Sequence, residues 1–204
     1  MPANEYHFTT HWYALNSTLD EVSAVLADAA DLPRWWPSVY LQTCVTKPGD
    51  ARGVGREVEL YTKGWLPYTL RWTFRLTENN APRGMAVDAW GDFVGRGVWI
   101  FEQAGPDVHI VYDWRVRAEK PLLRFLSPLL KPVFAANHRW AMARGEESLR
   151  LELQRRRATS EAARALIKAP PGPTPRMPWV VLPALAVALL GALGLRRTLR
   201  GRDA

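Results

Sequence analysis

From residue 6 the chain alternates between two faces. Tyr6, Phe8, Thr10 and Trp12 fall on one side, and His7, Thr9, His11 and Tyr13 on the other. A period of two predicts a strand. Thr18-Leu19-Asp20-Glu21 then reads as a capping box, and Val22, Val25 and Leu26 come next at helical spacing. This helix is expected to stop near 28–31, before Pro33. Trp35 and Trp36 sit between Pro33 and Pro37, which predicts a short rigid helical corner. The period then returns to two, with candidate strands at 39–46, 55–63, 67–77, 85–91, 96–103 and 108–117. Turn signals separate them: Pro48-Gly49-Asp50, Lys63-Gly64, Asn79-Asn80 with Pro82, and Gly105-Pro106-Asp107. Within 67–77, Tyr68, Leu70, Trp72, Phe74 and Leu76 share one face. Within 108–117, Val108, Ile110, Tyr112, Trp114 and Val116 do the same. One apolar and one wet face predict an antiparallel sheet packed on one side only.

Pro121 opens a helical region. Pro128 and Pro132 are expected to separate a short helix from a long one near 130–156. The order of strand, helices, six strands and terminal helix predicts an α+β domain over residues 5–156, a curved seven-stranded antiparallel sheet around the long helix. The expected apolar stripe of that helix contains Leu130, Val133, Trp140, Ala141 and Leu151. Residues 157–176 are basic and rich in proline, and read as an extended linker that detaches the C-terminal run from the domain. Residues 177–195, MPWVVLPALAVALLGALGL, carry no charge. As a helix they would be roughly 28 Å long, about one hydrocarbon thickness. They are expected to form a single-pass C-terminal transmembrane anchor, followed by an Arg-rich tail, 196–204. The N-terminus shows no basic region followed by an apolar core, so no signal peptide is expected. The domain is expected on the cytoplasmic side, because a short tail crosses a bilayer more readily than a folded domain.

Charge supports this division. The net charge of +7 over 204 residues is concentrated after residue 156, and the earlier part is nearly neutral. The basic balance is therefore not a nucleic-acid-binding face, and no nucleic-acid partner is expected. A single cysteine, Cys44, excludes an intrachain disulfide framework and any cysteine-rich metal site. His7 and His11 on one strand are about 13 Å apart, too far to share an ion. Glu57 and Glu59 read as a solvated strand edge, and Asp113, Arg115, Arg71, Arg75 and Glu102 as a charge ladder on the wet face. Gly91 to Gly97 has the wrong spacing for a dinucleotide loop and reads as a glycine-bearing turn. No phosphate loop, nucleophile elbow or zinc-helix motif is present, so neither metal nor cofactor is expected, and no catalytic residue is assigned.

The distinctive feature is ten tryptophans, nine of them before residue 156. Trp72, Phe74, Trp99, Phe101, Tyr112 and Trp114 alternate on three strands, and Tyr68 and Leu70 continue the face. Such a wall forms either a filled core or the lining of a cavity for a flat or long apolar ligand. Asn137 and Arg144 rise from the helix stripe two turns apart, beside Ala141. Either a wet or ligand-filled space lies beneath them, or Asn137 bonds a strand carbonyl and Arg144 snorkels to the rim. His138, at the edge of the stripe, reads as a surface or hinge contact. The candidate cavity is thus Tyr68, Leu70, Trp72, Phe74, Trp99, Phe101, Tyr112, Trp114, Asn137, Ala141 and Arg144.

Taken in order, Leu32-Pro33-Arg34-Trp35-Trp36-Pro37, Gly91-Asp92 with Gly95-Arg96-Gly97-Val98-Trp99, Val111-Tyr112-Asp113-Trp114-Arg115-Val116 and Asn137-His138-Arg139-Trp140 carry a resemblance. The chain resembles the bacterial polyketide cyclase/dehydrase and lipid-transport group of the START-like (SRPBCC, Bet v 1-like) superfamily over roughly residues 5–156. The resemblance implies a helix-grip fold around an apolar cavity. It also implies a range of activities, from ligand carriers and quinone-binding proteins to aromatic-ring cyclases, and no cyclase motif carries over to these positions. The expected function is a membrane-tethered binding or transfer module for a hydrophobic small molecule. The alternatives are a cyclase or dehydratase using Asn137, Arg144 and a tyrosine, and a protein-interaction domain with a filled core.

Overall fold

A computed structural model describes residue 2 and residues 4–175 of the chain. Strand β1 (Glu5–Ala14) leads into helix α1 (Leu19–Leu26). The capping box forms as its spacing predicts: Glu21 Oε2 accepts the N–H of Thr18 at 2.9 Å, and Thr18 Oγ1 accepts that of Glu21 at 3.3 Å. A 3-10 turn (Ala29–Asp31) and α2 (Leu32–Trp35) make the corner that buries Trp35 and Trp36. Six strands come after it: β2 (Tyr40–Lys47), β3 (Glu57–Lys63), β4 (Thr69–Asn79), β5 (Gly84–Gly91), β6 (Phe93–Ala104) and β7 (Asp107–Ala118). They form one antiparallel sheet with β1, in the order β1-β7-β6-β5-β4-β3-β2.

Pairing gives this sheet two distinct ends. At one lie Glu5, Ala118, Phe93, Gly91, Thr69 and Lys63, the near end. At the other lie Ala14, Asp107, Gly84, Asn79 and Glu57, the far end. The wet face carries the expected ladder: His7 Nε2 is 2.6 Å from Asp113, which also takes Arg115 Nε at 3.1 Å. Glu57 departs from its expected solvated edge. It is buried beneath Lys47 Nζ at 3.1 Å and Arg75 Nη2 at 2.6 Å, while Glu59 stays exposed. Two long cationic side chains folding over one short carboxylate cover it from solvent.

Helix α3 (Pro121–Arg157) is continuous over 37 residues, which corrects the expected break at Pro128 and Pro132. Arg124, Pro128 and Pro132 are four apart and all exposed. The carbonyls that lose their N–H donors therefore face water and need no protein partner. The inward face is Leu123, Ser127, Leu130, Phe134, Met142, Gly145, Leu149 and Glu152. Trp140 lies beside this face and is only half-buried, another departure from the expected stripe; the Arg144 guanidinium lies 5.9 Å from its ring centroid. Gly145 is required by packing. A Cβ there would stand 2.6 Å from Trp36 Cη2 and 2.7 Å from Trp12 Cη2, inside any real carbon–carbon contact. Glu152, buried on the same face, accepts from Arg34 Nη2 at 2.6 Å and Arg156 Nε at 2.8 Å, which ties α3 to the α2 corner.

After α3 the chain turns back through a short helix, α4 (Glu161–Ala165). The proline-rich run beyond it is fastened to the domain rather than detached from it. Arg155 Nη2 donates to the carbonyls of Ile167 and Lys168, and Lys168 Nζ is 3.7 Å from Glu147. Thr174 Oγ1 donates to the Gly64 carbonyl at 3.0 Å, and Lys63 Nζ to the Thr174 carbonyl at 2.7 Å. Among the described residues no helix is long and apolar enough to cross a membrane. The expected span 177–195 and the tail 196–204 lie outside the described residues.

Candidate functional site

The concave face of the sheet and the inward face of α3 do not close on each other completely. Two adjoining chambers remain between them, neither fully enclosed. The first, about 130 Å³, has walls from the near-end parts of β1, β4 and β7, the β3–β4 loop and α3: Phe8, Tyr68, Leu70, Trp114, His138 and Ala141. The second, about 350 Å³, opens toward the far end between α1 and the β2–β3 loop, where Arg52 and Arg56 stand. Trp36, Tyr40, Trp72, Tyr112 and Met142 line both and form the septum.

The aromatic walls arise from strand periodicity. Alternate residues of β4, β6 and β7 project to the concave side, and cross-strand pairing stacks them. The Trp99 and Tyr112 rings, paired across β6 and β7, lie 4.0 Å apart at 17°. Tyr112 and Trp114 stack at 5.8 Å, and Trp72 meets Trp114 at the same separation. Large rings at alternate positions prop the sheet away from the helix and leave gaps that aliphatic side chains would fill.

Polar atoms within these walls fall into two groups. Some are satisfied: Trp72 Nε1 donates to Thr62 Oγ1 at 3.1 Å, and Tyr6 Oη bonds Ser127 Oγ at 2.8 Å, while that hydroxyl donates onward to the Leu123 carbonyl. Others are open. The hydroxyls of Tyr40, Tyr68 and Tyr112 make no hydrogen bond to the described residues, although all three residues line the first chamber. Burial pushes each of them above the ordinary phenol value, so they are neutral donors. Trp36 Nε1 and His138 Nε2 are buried without a partner among the described residues. His138 stacks on Phe8 at 4.0 Å, and burial, with Arg139 adding a like charge, lowers its pKa to about 4, so the ring is neutral.

The expected cavity residues divide between the chambers. Tyr68, Leu70, Trp114, Asn137 and Ala141 line the first chamber, Phe74, Trp99 and Phe101 the second, and Trp72 and Tyr112 both. Asn137 also accepts two backbone N–H groups, from Trp65 and Leu66 in the β3–β4 loop, at 2.9 and 3.2 Å. Arg144 lines neither chamber; it lies outside both, paired with Glu147 at 2.8 Å. A guanidinium on a long stem reaches water and a carboxylate more cheaply than a dry cavity. His138, read as a surface or hinge contact, is instead chamber wall. Tyr40, Trp36 and Met142 are also lining residues that the strand pattern does not reveal. Trp36 belongs to the corner, where no period operates, Tyr40 is the first residue of β2, and Met142 lies one residue beyond Ala141. Among the described residues no three His, Cys, Asp or Glu side chains are grouped to hold a metal ion.

The fold recurs in solved structures of low sequence identity. The aromatase/cyclase Zhui from Streptomyces sp. R1128 superposes with a TM-score of 0.59 at 16% identity, covering 77% of this chain and 98% of its own. A protein from Thermus thermophilus does so with a TM-score of 0.57 at 14% identity, covering 75% and 100%. A START superfamily protein from Mycobacterium smegmatis gives 0.52 at 13% identity, covering 71% and 98%. Comparison with curated protein sequences finds no match. A family model described as polyketide cyclase / dehydrase and lipid transport matches residues 14–153, from the end of β1 almost to the end of α3. With its helix-grip sheet, its terminal helix and its aromatic cavity, this chain belongs to the polyketide cyclase/dehydrase and lipid-transport family.

Proposed function

We propose that the chain is a membrane-tethered binding or transfer module for a hydrophobic small molecule of the lipid, quinone, polyketide or prenyl kind. The observation that carries this reading is a largely apolar, aromatic-walled cavity in which Trp36 Nε1 and His138 Nε2 are buried without a partner among the described residues. A buried N–H left without an acceptor costs on the order of 1–3 kcal/mol. A ligand with a carbonyl, ether or hydroxyl oxygen removes that cost while its apolar body fills the remaining gap. A cavity of roughly 150 Å³ holds one benzene-sized ring. The chambers, at about 130 and 350 Å³, thus suit a molecule with a smaller and a larger part.

The tether is the uncharged run 177–195, bounded by Arg176 and Arg196. Anchoring raises the effective concentration of the cavity for compounds dissolved in the bilayer. The domain would lie on the cytoplasmic side.

A cyclase or dehydratase is the second reading, and His138 Nε2 is the observation in its favour: an unpartnered neutral nitrogen in the cavity wall. Against it, no Asp or Glu lines the first chamber among the described residues.

Mass spectrometry of an organic extract of the full chain, purified from membranes, tests the binding reading. A co-purifying hydrophobic compound, displaced by Ala141→Trp, is expected. Full chain that yields no such compound and binds no apolar fluorescent probe overturns it.

A further inference from the structure

The proline-rich segment runs a defined course. It leaves α3 at the far end of the sheet, where Arg157 bonds Ser17 and Glu21. It passes back along α3, held by Arg155 and then by Lys168 against Glu147. It ends at the near end, where Thr174 and Pro175 meet Lys63 and Gly64, and both of those residues line the first chamber. The strap is therefore fixed at its last described residues on the rim of that chamber. The uncharged run starts at Met177, two residues after Pro175. Two extended residues reach about 7 Å.

The same end of the molecule exposes a large aromatic side chain. Helix α3 begins there, directly after β7, and Phe125 on its early turns is 83% exposed. Trp65, next to Gly64, is only half-buried. An exposed aromatic side chain such as Phe125 sits favourably in the interface of a bilayer.

We infer that the strap orients the domain, holding the near end of the sheet against the bilayer so that the first chamber exchanges its ligand with the lipid phase across the Lys63–Gly64 rim. The inference rests on the membrane-tethered reading above. It adds a direction: the far end, with Arg52 and Arg56, points toward water. A free proline-rich linker would leave the domain tumbling. A strap bonded at Gly64 cannot do so while those bonds hold.

Full-length chain in vesicles of phosphatidylcholine and phosphatidylglycerol, with a nitroxide on a fraction of the headgroups, tests this. In a Cys44→Ser background, a fluorophore is attached at Pro128→Cys, exposed near the start of α3, or at Arg83→Cys, at the far end. Quenching is expected to be several-fold stronger at 128 than at 83. Inserting a flexible Gly/Ser stretch of about twelve residues after Pro175 should leave the protein floating with the vesicles and abolish the difference. Equal quenching at both sites in protein that floats overturns the orientation while leaving the tether intact. Full chain that fails to float removes the tether and the orientation together. A difference that survives the insertion shows that the strap does not set it, and overturns the inference.

Discussion

Asn137 Oδ1 stands 2.9 Å from the backbone nitrogen of Trp65 and 3.2 Å from that of Leu66, so one side chain of α3 closes the loop between β3 and β4. The loop has no room for a side chain of its own there. A Cβ on Gly64 would approach Asn137 Cγ to 2.6 Å. Glycine at 64 and asparagine at 137 are thus a matched pair, and the loop they hold is the rim on which the strap ends.

Asn137→Leu should cost about 1–3 kcal/mol, because it leaves two partly buried N–H groups without an acceptor. Asn137→Asp keeps the acceptor and should cost less. Urea unfolding of both variants is the check, and the bond has no structural weight if leucine is as well tolerated as aspartate.

The strands and the first cap are legible because each obeys a single local rule. Tyr68 through Leu76 and Val108 through Val116 alternate without exception, and the Thr18–Glu21 box has one geometry. The long helix obeys two rules that conflict. Its prolines suggest a break, but their exposed positions make them harmless. Its inward face is interrupted by Ser127, Gly145 and Glu152, each held there by tertiary structure. Periodicity alone has no means of placing these three inside, so it centres the stripe on Trp140 rather than on Phe134 and Met142. That rotation draws Arg144 toward the cavity and leaves His138 outside it.

His138 makes stability depend on pH. Its pKa is about 4 in the folded chain, set by burial first and by Arg139 second. An unfolded histidine titrates near 6.5. Between those values the unfolded chain binds more protons, so stability falls as pH falls from about 6.5 to about 4, by at most roughly 3 kcal/mol. His138→Phe keeps the ring beside Phe8 and should flatten this part of the profile. Thermal unfolding from pH 8 to pH 4 reads it directly; an unchanged slope in the variant would mean that another group titrates.

A separate acid transition belongs to the carboxylates. Burial raises the Glu152 pKa, but the bonds from Arg34 and Arg156 outweigh it and leave the group below its ordinary value. Glu21 is lowered to about 2, chiefly by its hydrogen bond from Arg157, though solvent screens its contribution. Both folded values lie below the unfolded one, near 4.3, so the stability they give is complete above that pH and drains away as pH falls toward about 2. Glu152→Gln should lower stability at pH 7 and lose less on further acidification than the parent. If parent and variant lose stability in parallel below pH 4.5, the Arg34–Glu152–Arg156 group is not the source.

The two chambers make opposite demands on neighbouring residues of one helix. Ala141 lines only the first, so an indole placed there by Ala141→Trp occupies a space of its own scale. Because the space is open, the usual overpacking cost of about 1–3 kcal/mol should be at the low end. Met142 is buried and belongs to the septum. Met142→Ala removes a core side chain, at about 2–5 kcal/mol, while joining the chambers. An apolar fluorescent probe long enough to need both should bind more weakly to Ala141→Trp at nearly unchanged stability. It should bind more tightly to Met142→Ala, once measured at a temperature where that variant is folded. The two results together separate a cavity that takes ligand from a core that is only loosely packed. In a loosely packed core, both substitutions would move stability and neither would move probe affinity.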